Sequence, residues 1–151
     1  MAALVARIID RHHAYARRAL PPLGPLVAKV AEVHGEHEPR LAEVRRLFDE
    51  MAARLLARLD EEESSTFPLL MARGSDPAGV AAAVARMTAG EEALRDDLAR
   101  LAELTDGFTP PGWACRSYRL ALAQLEELAD DLRRHLELEG GDLLPRFAGR
   151  P

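Results

Sequence analysis

The chain has 151 residues, of which 48% are hydrophobic and 30% charged, so it is long enough to bury a core and polar enough to remain in water. Its net charge of −5 argues against nucleic-acid binding, which needs a basic surface. No apolar run approaches a membrane span, and the N-terminus lacks the apolar segment of a signal peptide. The single cysteine, Cys115, cannot form an internal disulfide, which favours a cytoplasmic location.

Four helical segments follow one another along the chain, separated by glycine and proline. Alanine, leucine, glutamate and arginine dominate the composition, and all four are good helix formers. Short connections between long helices predict an all-α, antiparallel up-down-up-down four-helix bundle, formed as one domain over residues 1–151. The predicted segments cover about residues 2–33, 39–72, 77–105 and 113–139.

Prolines, glycines and a capping residue refine the predicted boundaries of these segments. Three prolines within residues 21–25 are expected to bend or break the first segment, and Pro68 to kink the second. Asp76 followed by Pro77 predicts the N-cap and the first residue of the third segment. The pair Gly140-Gly141 predicts the end of the fourth.

Each segment carries an apolar stripe at helical spacing, and polar side chains interrupt all four stripes at one level. Polar groups inside a core are costly unless they are paired or bind a metal, so their concentration at one level indicates a site. The four-residue steps Arg58–Glu62 and His135–Glu139 place each pair on one helix face. The interrupting residues are His13, Arg58, Glu62, Glu91, His135 and Glu139.

The first interpretation of this level is a metal centre. Imidazole nitrogens and carboxylate oxygens together suit iron, manganese or zinc, and carboxylates from facing helices bridge paired ions in bundle cores. We predict Glu62 and Glu139 as the bridging pair, His13 at one ion, and His135 with Glu91 at the other. The predicted cofactor is iron, as one or two ions, with manganese or zinc as alternatives.

The second interpretation is a metal-free, ion-paired core. Arg58 lies one turn before Glu62 and can donate two hydrogen bonds to it or to Glu91. Three carboxylates and one arginine leave a charge that either one divalent ion or two protonated histidines would neutralise. A protein of this kind would act as a binding or regulatory partner. A third interpretation is a carboxylate-rich oxidase-like centre, and the sequence does not decide whether the protein is an enzyme or how it oligomerises.

Other chemistry-bearing residues have simpler expected roles. His12 is expected to face outward beside His13, about 100° around an α-helix. His34 and His37 fall in the first connection and are expected to be exposed. Cys115, near the start of the last segment, is expected to be buried as a small hydrophobic residue.

Several motifs at these positions resemble the hemerythrin-like (HHE cation-binding) domain, and within it the di-iron proteins of iron–sulfur cluster repair. The resemblance covers about residues 8–148. It implies the bundle fold, iron binding, a role in the response to nitric oxide and oxidants, and O2 or NO as small-molecule partners. The motifs are Arg11-His-His13, Leu20-Pro-Pro-Leu23, Ala31-Glu-Val-His34-Gly35, Glu62-Glu63, Phe67-Pro68, Leu104-Thr-Asp-Gly-Phe-Thr-Pro-Pro111, Ala114-Cys115, His135-Leu-Glu-Leu-Glu139 and Leu144-Pro-Arg146.

The resemblance also implies a ligand set, from which this chain departs at two positions. Each iron of the family takes two histidines, and two glutamates bridge the irons. Carried over, one iron would take His13 and position 58, and the other position 91 and His135. Arg58 and Glu91 stand where histidines are expected. Glu91 can still coordinate a metal, whereas Arg58 is a permanent donor and cannot.

Overall fold

The four predicted segments are present as four antiparallel helical rods, which confirms the all-α four-helix bundle. In the computed structural model, which describes residues 1–147, the first rod contacts the second and fourth, and the third rod also contacts the second and fourth. The last four residues of the predicted domain, 148–151, lie outside the described residues. No helix within residues 1–147 is both long enough and apolar enough to cross a membrane.

Three of the rods combine α-helix with a π-helical segment, in which each backbone hydrogen bond spans one more residue than in an α-helix. The first rod comprises α1 (Ala2–Arg7), π1 (Ile8–His13) and α2 (Ala14–His34). The second comprises α3 (Arg40–Glu61), π2 (Glu62–Thr66) and α4 (Phe67–Met71). The third is α5 (Pro77–Leu104), and the fourth comprises α6 (Arg116–Glu137), π3 (Leu138–Leu143) and a 3₁₀ turn (Leu144–Arg146).

The prolines of the first rod do not break it, so the break that was predicted as one of two outcomes does not occur. Residues 21–25 lie inside α2, which continues to His34. Each internal proline removes a backbone donor at a cost of about 3 kcal/mol. The buried face of α2 offsets this cost by packing against α3 and α6, because tertiary burial outweighs local propensity in most protein helices. That face comprises Ala16, Leu20, Leu23, Val27 and Val30.

The third rod begins as predicted, whereas the fourth does not end as predicted. The Asp76 side chain accepts a hydrogen bond from the Gly79 amide at 2.9 Å, and Pro77 is the first residue of α5. The pair Gly140-Gly141 lies inside π3 instead of stopping the helix. A side chain at position 140 would place its Cβ 2.7 Å from Glu91 Oε2, so the absence of a side chain lets the Glu91 carboxylate approach the backbone of π3 closely.

Two apolar clusters lie along the bundle, and the polar level separates them in all four rods. In the second rod, Leu59 belongs to the larger cluster and Phe67 to the smaller, with Glu62 between them. In the fourth rod, Leu136 and Leu143 flank Glu139 in the same way. Water is thus excluded above and below the polar level. The smaller cluster comprises Val5, Ile8, Phe67, Leu70, Met87, Leu143, Leu144 and Phe147.

Candidate metal centre

The three π-helical segments lie at the polar level. His13 is the last residue of π1, Glu62 the first residue of π2, and Glu139 the second residue of π3. A π turn widens the helix and brings an additional side chain to its inner face, and such turns are frequent at functional sites. The backbone therefore departs from α-helix where the polar side chains enter the core.

Four of the five predicted ligands meet there. One nitrogen each of His13 and His135 and one oxygen each of Glu62 and Glu139 lie within 4.8 Å of one another. None of the four residues is more than 2% exposed. His135 Nε2 lies 2.9 Å from Glu139 Oε1, and His13 Nε2 lies 3.3 Å from Glu62 Oε2.

Arg58 lies on the other side of the two carboxylates. Its Nε donates to Glu62 Oε1 at 2.5 Å, and its Nη2 donates to Glu139 Oε2. Each carboxylate therefore gives one oxygen to the guanidinium and keeps the other facing a histidine. Carboxylates that bridge two ions divide their oxygens in the same way. The guanidinium thus contacts both carboxylates from one side, as one cation of a bridged pair would.

The remaining donors fit one metal ion. His13 Nε2 and Glu62 Oε2 are buried, and neither has a hydrogen-bond partner among the described residues. Metal bonds of about 2.0–2.2 Å to nitrogen and oxygen allow adjacent ligand atoms to lie about 3 Å apart. The separations of 2.9 and 3.3 Å satisfy this requirement. Two imidazoles with two carboxylates suit iron, manganese and zinc.

The structure groups the ligands differently from the pairing implied by the family resemblance. That pairing assigned His13 and position 58 to one ion. In the structure, His13 lies beside His135, with ring centroids 5.0 Å apart, and both face the oxygens that Arg58 leaves free. Glu91 is buried but lies outside the group of four, and its Oε2 accepts a hydrogen bond from Arg95 at 3.2 Å.

The orientation of His13 depends on a carboxylate that the sequence analysis did not single out. His13 Nδ1 donates to Glu63 Oε1 at 2.8 Å, and Arg17 donates to the same oxygen at 2.5 Å. This bond leaves Nε2 free to face the centre, as in carboxylate–histidine–metal arrangements. Burial opposes protonation of His13, but the neighbouring carboxylates of Glu62 and Glu63 raise its pKa overall. Glu63 could have been found from its place one residue after a predicted ligand.

We expect the substitution Glu63→Gln to weaken metal binding by about 10- to 100-fold, the usual effect of removing such a supporting carboxylate. The amide would no longer favour the Nδ1–H form of His13. Competition with a chromophoric chelator measures the change. Glu61→Gln is the matched control, because Glu61 is exposed and pairs with Arg86 on the bundle surface. Equal affinities of the two variants would contradict the assigned role of Glu63.

The two central carboxylates, Glu62 and Glu139, have pKa values that are shifted in opposite directions. Burial and the charge of Glu62 raise the pKa of Glu139 to about 8. Burial also opposes ionisation of Glu62, but the neighbouring His13 and the charge of Arg58 lower its pKa overall. Burial and the positive charge of His13 lower the pKa of His135 to about 4. At pH 7 His135 is therefore a neutral imidazole that is able to coordinate, and Glu139 holds a proton that a metal ion would displace.

His12 does not face outward, contrary to the prediction. It is 2% exposed, and its ring stacks on His135 with centroids 5.7 Å apart and an interplanar angle of 6°. Its Nδ1 lies 3.0 Å from both carboxylate oxygens of Asp131. The physical reason is π1, because its wider turn places both His12 and His13 on the inner face.

The prediction for Cys115 was also wrong, since this residue is exposed. Its Sγ lies 3.1 Å from Nε2 of His34, which ends α2 and stacks on Tyr118 with centroids 5.4 Å apart. His37 is exposed as predicted. His34 follows His13 by 21 residues along the first rod, which corresponds to roughly 30 Å of helix. The contacts of His34 with Cys115 and Tyr118 are therefore remote from the buried centre.

A helical bundle with buried imidazole and carboxylate donors defines a class of metal-binding proteins. The sequence model of the hemerythrin HHE cation binding domain matches residues 4–147, and the chain belongs to this family. It is 35% identical over 144 residues to the iron–sulfur cluster repair protein DnrN of Neisseria gonorrhoeae, covering 95% of this chain and 89% of that protein.

Two further relatives are longer than this chain. The iron–sulfur cluster repair protein YtfE of Yersinia pseudotuberculosis is 32% identical over 148 residues, covering 95% of this chain and 64% of its own length. The iron–sulfur cluster repair protein ScdA of Staphylococcus haemolyticus is 28% identical over 147 residues, covering 96% and 66%. The chain thus spans about two thirds of these relatives.

Proposed function

We propose that this protein binds one iron ion through His13, Glu62, His135 and Glu139, with Arg58 replacing a second ion electrostatically, and acts in iron–sulfur cluster repair or the nitrosative and oxidative stress response. The observation that carries the proposal is the convergence of four buried donor atoms within 4.8 Å. The names of the relatives support the physiological context. Glu91 remains a predicted additional ligand, and the cytoplasm the predicted location.

The residues of the chain perform separate tasks in this proposal. The two apolar clusters exclude water, Glu63 orients His13, and Arg58 balances the charge of Glu62 and Glu139. A bound iron would supply redox chemistry and an open position for a small ligand such as O2 or NO. Arg58 also carries a buried Nη1 that has no hydrogen-bond partner among the described residues.

Elemental analysis after anaerobic Fe(II) loading tests the proposal. We expect close to one iron per chain, and loss of most of it in the double variant His13→Ala and His135→Ala. Glu137→Gln in the same rod is the control, since Glu137 precedes π3 and is not among the four donors. Absence of iron, manganese and zinc from the loaded wild-type protein would refute the proposal.

Metal binding should release protons, and the affinity should therefore rise with pH. The pKa of Glu139 is raised from the ordinary value of 4.5 to about 8, so below pH 8 most of the folded protein carries on Glu139 a proton that the metal must displace. His13, whose pKa is also raised, contributes in the same direction. Calorimetric titration at pH 6.5 in buffers of different protonation enthalpy measures the release. Binding without proton release at this pH would contradict the protonation states described above.

The metal-free alternative is favoured by one observation, the two bonds from Arg58 to Glu62 and Glu139. On this view the ion pairs are the finished core, and the protein acts through binding a partner. A chelator would then leave the thermal stability unchanged. A metal-bound protein would instead lose the stabilisation that ligand binding to the folded state provides.

A further inference from the structure

We propose that the metal ion reaches the centre between α5 and α6, through a gap above Gly140 that the Glu91–Arg95 ion pair closes. This inference rests on the proposed metal-binding function. It gives Glu91, Gly140 and Arg95 a role in loading and release of the ion, as distinct from holding it.

The centre needs such a path because it is closed on most sides. The four donor residues are at most 2% exposed, and the apolar clusters block the bundle axis in both directions. Among neighbouring rods, α5 and α6 are the least closely packed. A groove runs between these helices, and Arg95, Leu98, Arg133 and Leu136 line it.

Gly140 lies beside Glu91, whose ion-pair partner Arg95 lines this groove. It follows the ligand Glu139 directly, and its missing side chain leaves room that the Glu91 carboxylate occupies. A Cβ at position 140 would lie 2.7 Å from Glu91 Oε2 and 3.4 Å from Arg95 Nη2. A side chain there would therefore require the Glu91 carboxylate to move away from its present position.

Glu91 connects the buried centre with the surface. Its Oε1 is buried and has no hydrogen-bond partner among the described residues, while its Oε2 accepts from Arg95. The Glu91 side chain is 4% exposed and that of Arg95 is 50% exposed. Ion pairs with an exposed partner are weak, so a divalent cation in the groove can displace Arg95. The free carboxylate is then the first protein ligand that the incoming ion meets.

The other candidate path is less favourable for a cation. A cleft of about 190 Å³ between α3 and α5 also leads towards the centre. Arg58, Glu62 and Gly90 are among the residues that line it, and a Cβ at position 90 would be 3.5 Å from Arg58 Cδ. The permanent positive charge of Arg58 repels a divalent ion on this side. Glu61 and Asp97 also line this cleft, but Arg58 lies between it and the free oxygens of Glu62 and Glu139, because the guanidinium holds the opposite oxygen of each carboxylate. In the groove between α5 and α6 the cation on the way to the centre is Arg95, and Glu91 lies behind it.

Stopped-flow mixing of the metal-free protein with Co(II), followed by visible absorption, tests the path. Removing the competing cation with Arg95→Gln should accelerate both association and chelator-induced release by roughly tenfold, at the lower end of electrostatic effects on association rates. Arg86→Gln is the matched control, because Arg86 lies on the same helix, is 56% exposed and pairs with Glu61 beside the other cleft. Its rates should equal those of the wild type.

A second pair of variants tests the gap itself. Gly140→Ala should slow loading, whereas Gly90→Ala should not, since its added methyl group makes only ordinary contacts. Rates for Arg95→Gln that match the wild type, or acceleration by Arg86→Gln instead, would overturn the proposed path while leaving the metal site intact. Failure of the wild type to bind Co(II), iron, manganese or zinc would refute the proposed function, and this inference with it.

Discussion

Replacing both Arg58 and Glu91 by histidine is expected to raise the iron content from one to two ions per chain. Arg58 occupies the side of Glu62 and Glu139 that faces away from His13 and His135. Removing its charge frees one oxygen of each carboxylate, and the two new imidazoles come from the adjacent helices α3 and α5. Iron per chain, measured after anaerobic loading, gives the result.

The design needs a control that removes the charges without supplying ligands. The variant Arg58→Gln with Glu91→Gln has no additional imidazole and should stay at or below one ion per chain. Glu91→His alone should also remain at one, because the guanidinium still holds the second position. A double histidine variant that binds no more iron than the wild type would show that positions 58 and 91 do not face a common ion.

The fold followed from the sequence because its signals are long and repeated. Each rod presents many apolar residues at helical spacing, and an error at one residue does not change the pattern. The prolines of α2 were misjudged, since their local cost was visible in the sequence and the burial of Leu23 and Val27 against two other helices was not. Local breakers predict boundaries well at exposed positions, as Asp76 and Pro77 did.

The polar level was predictable for a similar reason, but its detailed geometry was not. A polar residue on an apolar stripe is visible in any helical projection, and all six predicted residues lie at this level. The projection assumes uniform α-helix, and three π turns intervene at the site. For that reason His12 was assigned to the surface, and Gly140-Gly141 was taken for a helix end.

Side-chain choices within the site were beyond a sequence pattern. Spacing places Glu91 on the inner face of α5, but its carboxylate turns to Arg95 on the same helix, one turn later. The division of oxygens between Arg58 and the histidines likewise depends on rotamers and on the π turns. The family resemblance predicted the ligand positions, whereas the grouping of their side chains requires distances between helices.

The charge of Arg58 should also control the stability of the metal-free protein. Substitution Arg58→Met keeps the apolar stem and leaves Glu62 and Glu139 buried without their cation. Removing one partner of a buried ion pair costs about 3–5 kcal/mol of unfolding free energy. Urea unfolding in the presence of chelator measures this loss. Arg54→Met, one turn earlier on α3, is the control, and it should cost less than about 1 kcal/mol because Arg54 is exposed.

If the stability loss of Arg58→Met arises from unpaired carboxylates, two conditions should reduce it. Lowering the pH protonates first Glu139, whose pKa burial raises, and one neutral carboxyl group can then hydrogen-bond to its ionised neighbour. The loss should therefore be larger at pH 8.5 than at pH 5.5. Saturating Mn(II) should restore stability at the higher pH, since the ion supplies the missing charge. A loss that neither pH nor metal changes would assign Arg58 a packing role and remove the electrostatic basis for regarding it as a replacement for the second ion.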